Sequence, residues 1–220
     1  MTKRRDEQIL TTRERILNAA LNVFHEYGVC RPSLSEVAKL AGVSCGAVAD
    51  HFHSKTGLLL ALTERMVLPG EQLCNNAGEQ LNANPLGTLR TRWVWLFQEI
   101  ACNPEWQQVL EIIFHPCEEK VTENNEAHLR MKQGRTRGLE RMAQLIALAV
   151  SERQLPEDLD TDLAMQMLHG GLFGVIETWL LSSRIEDIGE LGERYIDSLI
   201  DMIRFSPTMR LSSRLVNTLH

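Results

Sequence analysis

Acidic and imidazole side chains interrupt the apolar helical segments of residues 93–177 at several places. The interrupting residues are Glu99, Glu111, His115, His169 and Glu177, and the aromatic residues among them are Trp93, Trp95, Phe97, Phe114 and Phe173. Apolar walls with a few polar anchors, in a chain with eight methionines, are typical of an adaptable small-molecule cavity. Aromatic faces beside carboxylates favour lipophilic cations through cation–π and Coulomb attraction. This pattern therefore predicts a site for a lipophilic, often cationic, small molecule.

The predicted ligand-binding residues combine polar anchors with apolar neighbours. They are Met66, Leu96, Ile100, Leu110, Phe114, Met142, His169, Phe173, Ile176 and Glu177. A second interpretation stays open, because a single Glu or His in such a segment is usually exposed or satisfied by a neighbour, and the apolar stripe can be ordinary core.

The cysteines indicate a different chemistry. Cys45 lies one residue inside a capped helical segment, where the helix N-terminus favours the thiolate and its oxidation, so a thiol-redox regulator is an alternative function. Cys117 lies near His115, but residues two apart on a helix point to different faces. The five cysteines are odd in number and contain no CxxC pair, which argues against a disulfide framework and a zinc site.

Motifs of catalysis and membrane insertion are missing from the sequence. It contains no HExxH, no glycine-rich phosphate loop and no metal-ligand cluster, and its single GxSxG string, residues 42–46, follows a helical segment and not a strand, so we expect no enzyme activity, no cofactor and no metal. The apolar runs at residues 58–62 and 144–150 are far shorter than the roughly 20 residues that span a bilayer. Asp6 and Glu7 occupy a region where a signal peptide is apolar. We therefore expect a cytoplasmic protein that does not contact the membrane.

Apolar residues recur at helical spacing through most of the chain, which predicts an all-α fold of nine helices. Thr11 with Glu14 and Ser33 with Glu36 form capping boxes that begin the first two helices. The later predicted helices begin after the caps Ser44 and Ser54, at prolines 85 and 104, and after a proline-containing loop near residue 116. Their expected ranges are 45–52, 55–81 with a bend at Pro69-Gly70, 86–102, 104–115, 123–153, 160–182 and 187–205.

Three short helices over residues 12–52, joined by turns as tight as Ala41-Gly42-Val43-Ser44, must pack together to bury their apolar faces. This arrangement predicts a helix-turn-helix unit, whose third helix can lie in the DNA major groove. The distribution of charge agrees with DNA binding by this unit, because residues 1–55 carry a net charge of +2 and residues 56–220 carry −8. We expect a DNA-binding domain over residues 1–55 and a ligand-binding and dimerisation domain over residues 56–220.

The segment TRERILNAALNVFHEYGVCRPSLSEVAKLAGVSCGAVADHFHSKTGLLLAL, residues 12–62, resembles the DNA-binding domain of the TetR family of bacterial repressors. The matching features are F-x-x-x-G at the end of the first helix, S-L-x-x-V-A-x-x-A-G-V in the second, and H-F-x-x-K before a long helix. The segments VLEIIFHPCE, LPEDLD, ETWLL and FSPTMR are similar to those of TetR repressors that control multidrug efflux pumps, the AcrR and TtgR type. The resemblance implies a repressor that is released from DNA by small molecules.

The same resemblance implies that DNA is bound by Ser33, Leu34, Ser44, Cys45, Gly46, Asp50, His51, His53 and Lys55. This chain departs from the usual T-R-G-A-I-Y-W-H-F of the efflux regulators, because residues 44–52 read SCGAVADHF. An Arg, a Tyr and a Trp are missing, and Asp50 adds a negative charge where phosphates approach. Two interpretations follow: the protein recognises an unusual operator, or its DNA binding is weakened.

The predicted helices over residues 160–182 and 187–205 carry more apolar side chains than a terminal hairpin of one domain needs, which indicates a partner. In the TetR family these two helices pair with their copies in a second subunit, and the two-fold dimer presents two reading heads to a palindromic operator. We expect a ligand to displace the helix at 55–81 and to spoil the spacing of those heads.

Overall fold

The computed structural model describes residues 11–75, 84–114, 126–182 and 187–211. Within these ranges the chain forms nine α-helices, one 3₁₀ turn at Pro207–Met209 and no β-strand beyond an isolated bridge, which confirms the predicted all-α fold. The helices are α1 (Thr12–Tyr27), α2 (Leu34–Ala41), α3 (Cys45–Phe52), α4 (Lys55–Asn75), α5 (Pro85–Cys102), α6 (Pro104–Phe114), α7 (Glu126–Ser151), α8 (Thr161–Leu181) and α9 (Ile188–Phe205).

Both predicted capping boxes are present. The Thr11 hydroxyl accepts from the backbone N–H of Glu14, whose carboxylate accepts from the backbone N–H of Thr11, and Ser33 and Glu36 repeat the arrangement at α2. Hydrogen bonds from the backbone N–H groups of Thr11 and Ser33 lower the pKa of Glu14 and Glu36. The starts of these helices are thus set by side chains three residues apart.

One predicted helix end differs from the structure, and several others lie outside the described residues. The α4 helix continues through Pro69 and Gly70 to Asn75 without a break, the bend expected there stays a prediction, and the expected end at residue 81 lies outside the described residues. A proline inside a helix removes one N–H donor but keeps a helical φ, and the turns on both sides carry the helix past it. The α7 helix (Glu126–Ser151) ends before the expected residue 153, whereas its expected start at 123 and the loop at residue 116 lie outside the described residues.

The chain divides into two compact units. The first unit contains residues 1–67 and 108–132, and the second contains residues 68–107 and 133–220. These units follow spatial packing, whereas the expected boundary between residues 55 and 56 divides the chain by role and stays a prediction.

The core of the first unit is built from α1 to α4 together with the second half of α6. Its fully buried residues include Ile16, Leu17 and Phe24 of α1, Val37 of α2, Val48 of α3, Leu58 and Leu62 of α4, and Val109 of α6. Helices as short as α2 and α3 are marginal in isolation, so burial in this shared core stabilises them.

In the second unit α9 packs against both α5 and α8. Gly192 of α9 lies against the Phe97 ring of α5, where any larger side chain would overlap the ring. Residues after α9 return to the α7–α8 loop, since Leu159 and Arg210 form an antiparallel bridge and the backbone N–H of Asp160 donates to Met209 O at 2.8 Å. Two sequence segments, LPEDLD and FSPTMR, thus meet in one place.

Candidate functional site

A tight turn joins α2 to α3. Gly42 adopts a left-handed φ of 65°, and its backbone N–H donates to the carbonyls of Ala38 and Lys39. The Arg15 guanidinium of α1 donates to Ala41 O at 2.7 Å and to Gly42 O at 3.0 Å, so α1 holds the turn from outside. The crossing of α2 and α3 is therefore fixed by backbone geometry and by one long-range side chain.

One face of α3 is buried and the other is exposed. Val48 and Phe52 enter the core of the first unit, whereas Cys45, Ala49 and Asp50 are exposed. The other exposed residues of the predicted DNA-binding set are Ser33, Ser44, Gly46, His51 and His53, and Leu34 is half-buried against the core. A helix with this pattern can lie in the major groove without unpacking.

Several predicted DNA-binding side chains also have bonds within the fold. The Lys55 ammonium donates to Cys30 O at 2.6 Å and so fastens the loop between α1 and α2. His53 has a φ of 61°, and its Nδ1 lies 2.6 Å from Ala49 O at the end of α3. The Ser35 hydroxyl donates to Cys45 Sγ at 3.6 Å, a contact that the sequence did not indicate.

An aromatic cluster joins α5 and α8 in the second unit. The Trp93 ring meets the Phe173 ring edge-on at 5.6 Å between centroids, and it lies 6.4 Å from the Phe97 ring. The His169 ring lies 4.6 Å from the Phe173 ring on the same helix. Two of the predicted ligand-binding residues, His169 and Phe173, are thus brought together with aromatic partners from α5.

The other predicted ligand-binding residues fall in both units. Ile100, Met142 and Ile176 are buried and Leu96 is half-buried in the second unit, whereas Leu110 is buried and Met66 and Phe114 are half-buried in the first. Within either unit these side chains belong largely to the apolar packing.

The acidic residues expected as anchors for a cation have different environments. Glu111 Oε2 lies 2.5 Å from His25 Nε2, in the first unit. Glu177 is exposed and Glu99 is half-buried, while His115 lies outside the described residues. Glu99 is therefore the one predicted acidic anchor that is half-buried in the second unit, among the residues that the structure describes.

A groove of about 550 Å³ runs between the start of α5 and α9. Arg90 spans it, because its guanidinium donates to Asp197 at 2.6 and 2.8 Å and to Glu193 at 2.8 Å. These hydrogen bonds raise the pKa of Arg90 and lower that of Asp197. The sequence did not single out this network, because its members lie more than 100 residues apart.

Exposed apolar residues follow one face of α8, and Phe205 is exposed at the end of α9; together they are named the apolar stripe of α8 and α9. Met167, Leu181 and Phe205 are 39%, 63% and 70% exposed. On α8 the stripe includes Gly170 and Gly174, beside which an added methyl group would meet no neighbouring atom. Large exposed apolar side chains of this kind are typical of a surface that a partner covers.

Two family models match separate parts of the chain. The model of bacterial regulatory proteins of the tetR family matches residues 16–62, and that of the C-terminal region of MAATS-type transcriptional repressors matches residues 84–205. The chain belongs to the TetR family.

Individual TetR-family relatives match over almost the whole chain. The HTH-type transcriptional regulator TtgR of Pseudomonas putida is 31% identical over 217 residues, which cover 96% of this chain and 100% of TtgR. The solved complex of SmeT with triclosan has a TM-score of 0.74 at 30% identity and covers 86% of this chain and 90% of its own.

A further solved structure is NalD, the secondary repressor of the MexAB-OprM multidrug efflux pump in Pseudomonas aeruginosa. It has a TM-score of 0.69 at 26% identity and covers 86% of this chain and 94% of its own. These relatives confirm both the TetR resemblance and its efflux-regulator branch, and the protein is a TetR-family transcriptional repressor homologous to efflux-pump regulators.

The described parts of the chain hold neither a metal-binding cluster nor a membrane-spanning helix. Among those residues no group of three or more His, Cys, Asp or Glu side chains is arranged to hold a metal ion. No described helix is both long and apolar enough to cross a bilayer.

Proposed function

We propose that this TetR-family repressor binds palindromic operator DNA as a dimer in the cytoplasm, controls a multidrug efflux pump, and leaves the operator when a lipophilic small molecule binds. The observation that carries the proposal is the exposed face of α3, in a helix-turn-helix whose turn is held by Arg15. Because side chains at the start of such a helix contact base edges, Ser44 and Cys45 read the operator, and Gly46 contacts the DNA through its backbone. Residues 1–55 form the DNA-binding domain, and residues 56–220 bind the ligand and the second subunit.

Dimerisation uses the apolar stripe of α8 and α9. A two-fold axis beside this stripe brings Met167 and Leu181 of each subunit against the same surface of the other, and the open glycines let the two helices approach closely. Sedimentation velocity tests this step, and we expect a species of twice the 25.0 kDa chain mass at micromolar concentration. A monomer at that concentration would exclude two-headed binding to a palindrome.

The effector binds beside the aromatic cluster of Trp93, Phe97, His169 and Phe173. Aromatic ligands can pack on ring edges and faces as these rings pack on one another, and the His169 ring adds a polar group. Cationic effectors gain longer-range attraction to Glu99, a half-buried carboxylate of the same unit that α5 places on a different face from Phe97. Effector binding shifts the population toward dimers whose heads are not spaced by one DNA turn, about 34 Å.

Release from DNA in a mobility-shift assay tests the effector class. Crystal violet and ethidium represent lipophilic cations, and triclosan, the compound in the SmeT complex, represents a chemically different class. If cations are preferred, Glu99→Gln raises the crystal violet concentration needed for release several-fold, whereas Glu140→Gln, at an exposed position of α7, does not. Release by peroxide alone would instead favour the thiol-redox alternative through the exposed Cys45.

A further inference from the structure

The reading helix carries little positive charge. Residues 44–52 contain no Lys or Arg, and their one formally charged residue at neutral pH is Asp50. DNA affinity depends mainly on Lys and Arg side chains beside phosphates, because each such contact releases condensed counterions. If α3 enters the major groove, cations must come from the elements around it.

Most basic side chains described in the first unit have other contacts. Three of them donate to oxygen atoms of the fold: Arg15 to Ala41 and Gly42, Lys55 to Cys30, and Arg65 to Asn18. Arg31 lies beyond the C-terminal end of α1, and its guanidinium carbon is 5.8 Å from the centre of the Tyr27 ring. Lys39 is in the last turn of α2. None of these five contacts or positions places a positive charge on α3.

Arg13 of α1 does lie against α3. Its guanidinium carbon is 5.4 Å from the centre of the Phe52 ring, and Phe52 is the last residue of α3. The ring is 7% exposed and is fixed by the core, whereas Arg13 itself is exposed. Contact through a ring face uses none of the five N–H donors of a guanidinium, so it holds the charge in place without occupying its hydrogen bonds.

The same end of α3 also favours positive charge because of the helix dipole. The dipole places partial negative charge at the C-terminal end of the helix, which stabilises a nearby cation. The His51 ring contacts Phe52 as well, at 6.1 Å between ring centres. The end of α3 therefore carries a guanidinium and an imidazole, while its start carries Gly46 and the short side chains of Ser44 and Cys45.

From this geometry we propose that Arg13, held on the Phe52 ring, is a DNA phosphate contact and supplies charge that α3 lacks. The inference rests on the proposed DNA-binding function and adds to it a residue that the sequence did not indicate. It also assigns Arg13 to affinity and leaves the choice of sequence to the start of α3, since phosphate contacts carry no base information.

The experiment compares Arg13→Gln with Arg31→Gln. Both substitutions remove one exposed arginine that contacts an aromatic ring, so they change the net charge of the first unit equally. Binding to a labelled random-sequence DNA duplex is measured by fluorescence anisotropy across salt concentrations from about 50 to 200 mM. Circular dichroism melting of both variants checks that the fold is kept.

We expect Arg13→Gln to weaken binding several-fold at low salt and to reduce the slope of log K against log salt by about one. Arg31→Gln keeps the wild-type slope. Arg13→Lys restores the slope, because it keeps the charge, but restores affinity only in part, because an ammonium does not match phosphate as a planar fork does.

Two results would overturn the inference. An unchanged slope for Arg13→Gln with an intact fold means that Arg13 touches no phosphate, and equal losses in both arginine variants mean that only bulk charge matters. If the wild-type protein itself binds random DNA without salt dependence, the proposed DNA-binding function fails together with this inference. If the wild-type protein binds random DNA with salt dependence but Arg13→Gln binds in the same way, the inference about Arg13 is rejected and the proposed DNA-binding function is kept.

Discussion

The His25 imidazole of α1 lies 2.5 Å from the Glu111 carboxylate of α6, although 86 residues separate them in the chain. The side chains are 38% and 23% exposed, so the contact is at the edge of the core of the first unit. Val109 and Ile112, on the neighbouring turns of α6, are buried in that same core. The second half of α6 is therefore packed with the helix-turn-helix as one body.

A double-mutant cycle measures this contact, because Glu111 has other interactions that a single substitution would also remove. We expect His25→Gln and Glu111→Gln to be coupled by about 0.5 kcal/mol in the free energy of urea unfolding, at the low end for a side-chain hydrogen bond because the contact is partly exposed. Strict additivity of the two single substitutions would show that the contact contributes nothing to stability.

Arg90 and Asp197 give the second unit a pH-dependent contribution to stability. Hydrogen bonds from Arg90 lower the pKa of Asp197 in the folded state, so the stabilisation is present above the ordinary aspartate pKa of about 4 and is lost as pH falls through the lowered value. Asp197→Asn should therefore reduce the unfolding free energy at pH 7 by up to about 1 kcal/mol, with the difference from wild type shrinking in acid. The control is Asp201→Asn, an exposed position on the same helix. A loss that does not change with pH would point to packing rather than charge.

Arg210 closes the junction between the end of α9 and the loop before α8. Its guanidinium donates to Ile203 O at 3.0 Å and to Arg204 O at 2.5 Å, and its Nε lies 3.5 Å from the Asp158 carboxylate. Arg210→Met removes this donor from the part-buried Ile203 O and from the exposed Arg204 O, so we expect a loss of about 1–3 kcal/mol in urea unfolding. Arg194→Met removes an exposed arginine of α9 and should cost much less. Equal losses in the two variants would argue against a specific junction.

Asp50 and Cys45 are expected to act differently on DNA. Asp50 opposes the phosphates, so Asp50→Asn tightens binding to operator and random DNA alike by several-fold. Cys45→Arg instead changes which sequences are selected, because a bidentate arginine discriminates between bases by about 1–3 kcal/mol. Competition binding at two salt concentrations separates the effects. If Asp50→Asn loosens operator binding only, then Asp50 takes part in sequence recognition.

Local signals in the sequence predicted most of the fold. The capping pairs Thr11–Glu14 and Ser33–Glu36 join residues three apart, so sequence spacing alone locates the starts of α1 and α2. At Pro69 the helix continues unbroken, because the helical turns on both sides outweigh the local cost of the proline.

Contacts between residues that are far apart in the chain could not be predicted from the sequence. Lys55 was predicted as a DNA contact from its position, and nothing local indicated that its ammonium also reaches Cys30 O. Glu111 was predicted as a ligand anchor, yet the residue beside it, His25, is far away in the chain. The pairing of side chains across helices depends on how those helices pack, which periodicity does not encode.

Footprinting of the purified protein on the DNA that flanks its own gene tests the central claim most directly. We expect one protected region with two-fold symmetry, in which two half-sites are separated by whole turns of about 10 base pairs. We also expect this protection to be lost when a lipophilic effector is added. Protection of a single asymmetric half-site, or a symmetric footprint that no lipophilic compound removes, would contradict a ligand-responsive dimeric repressor.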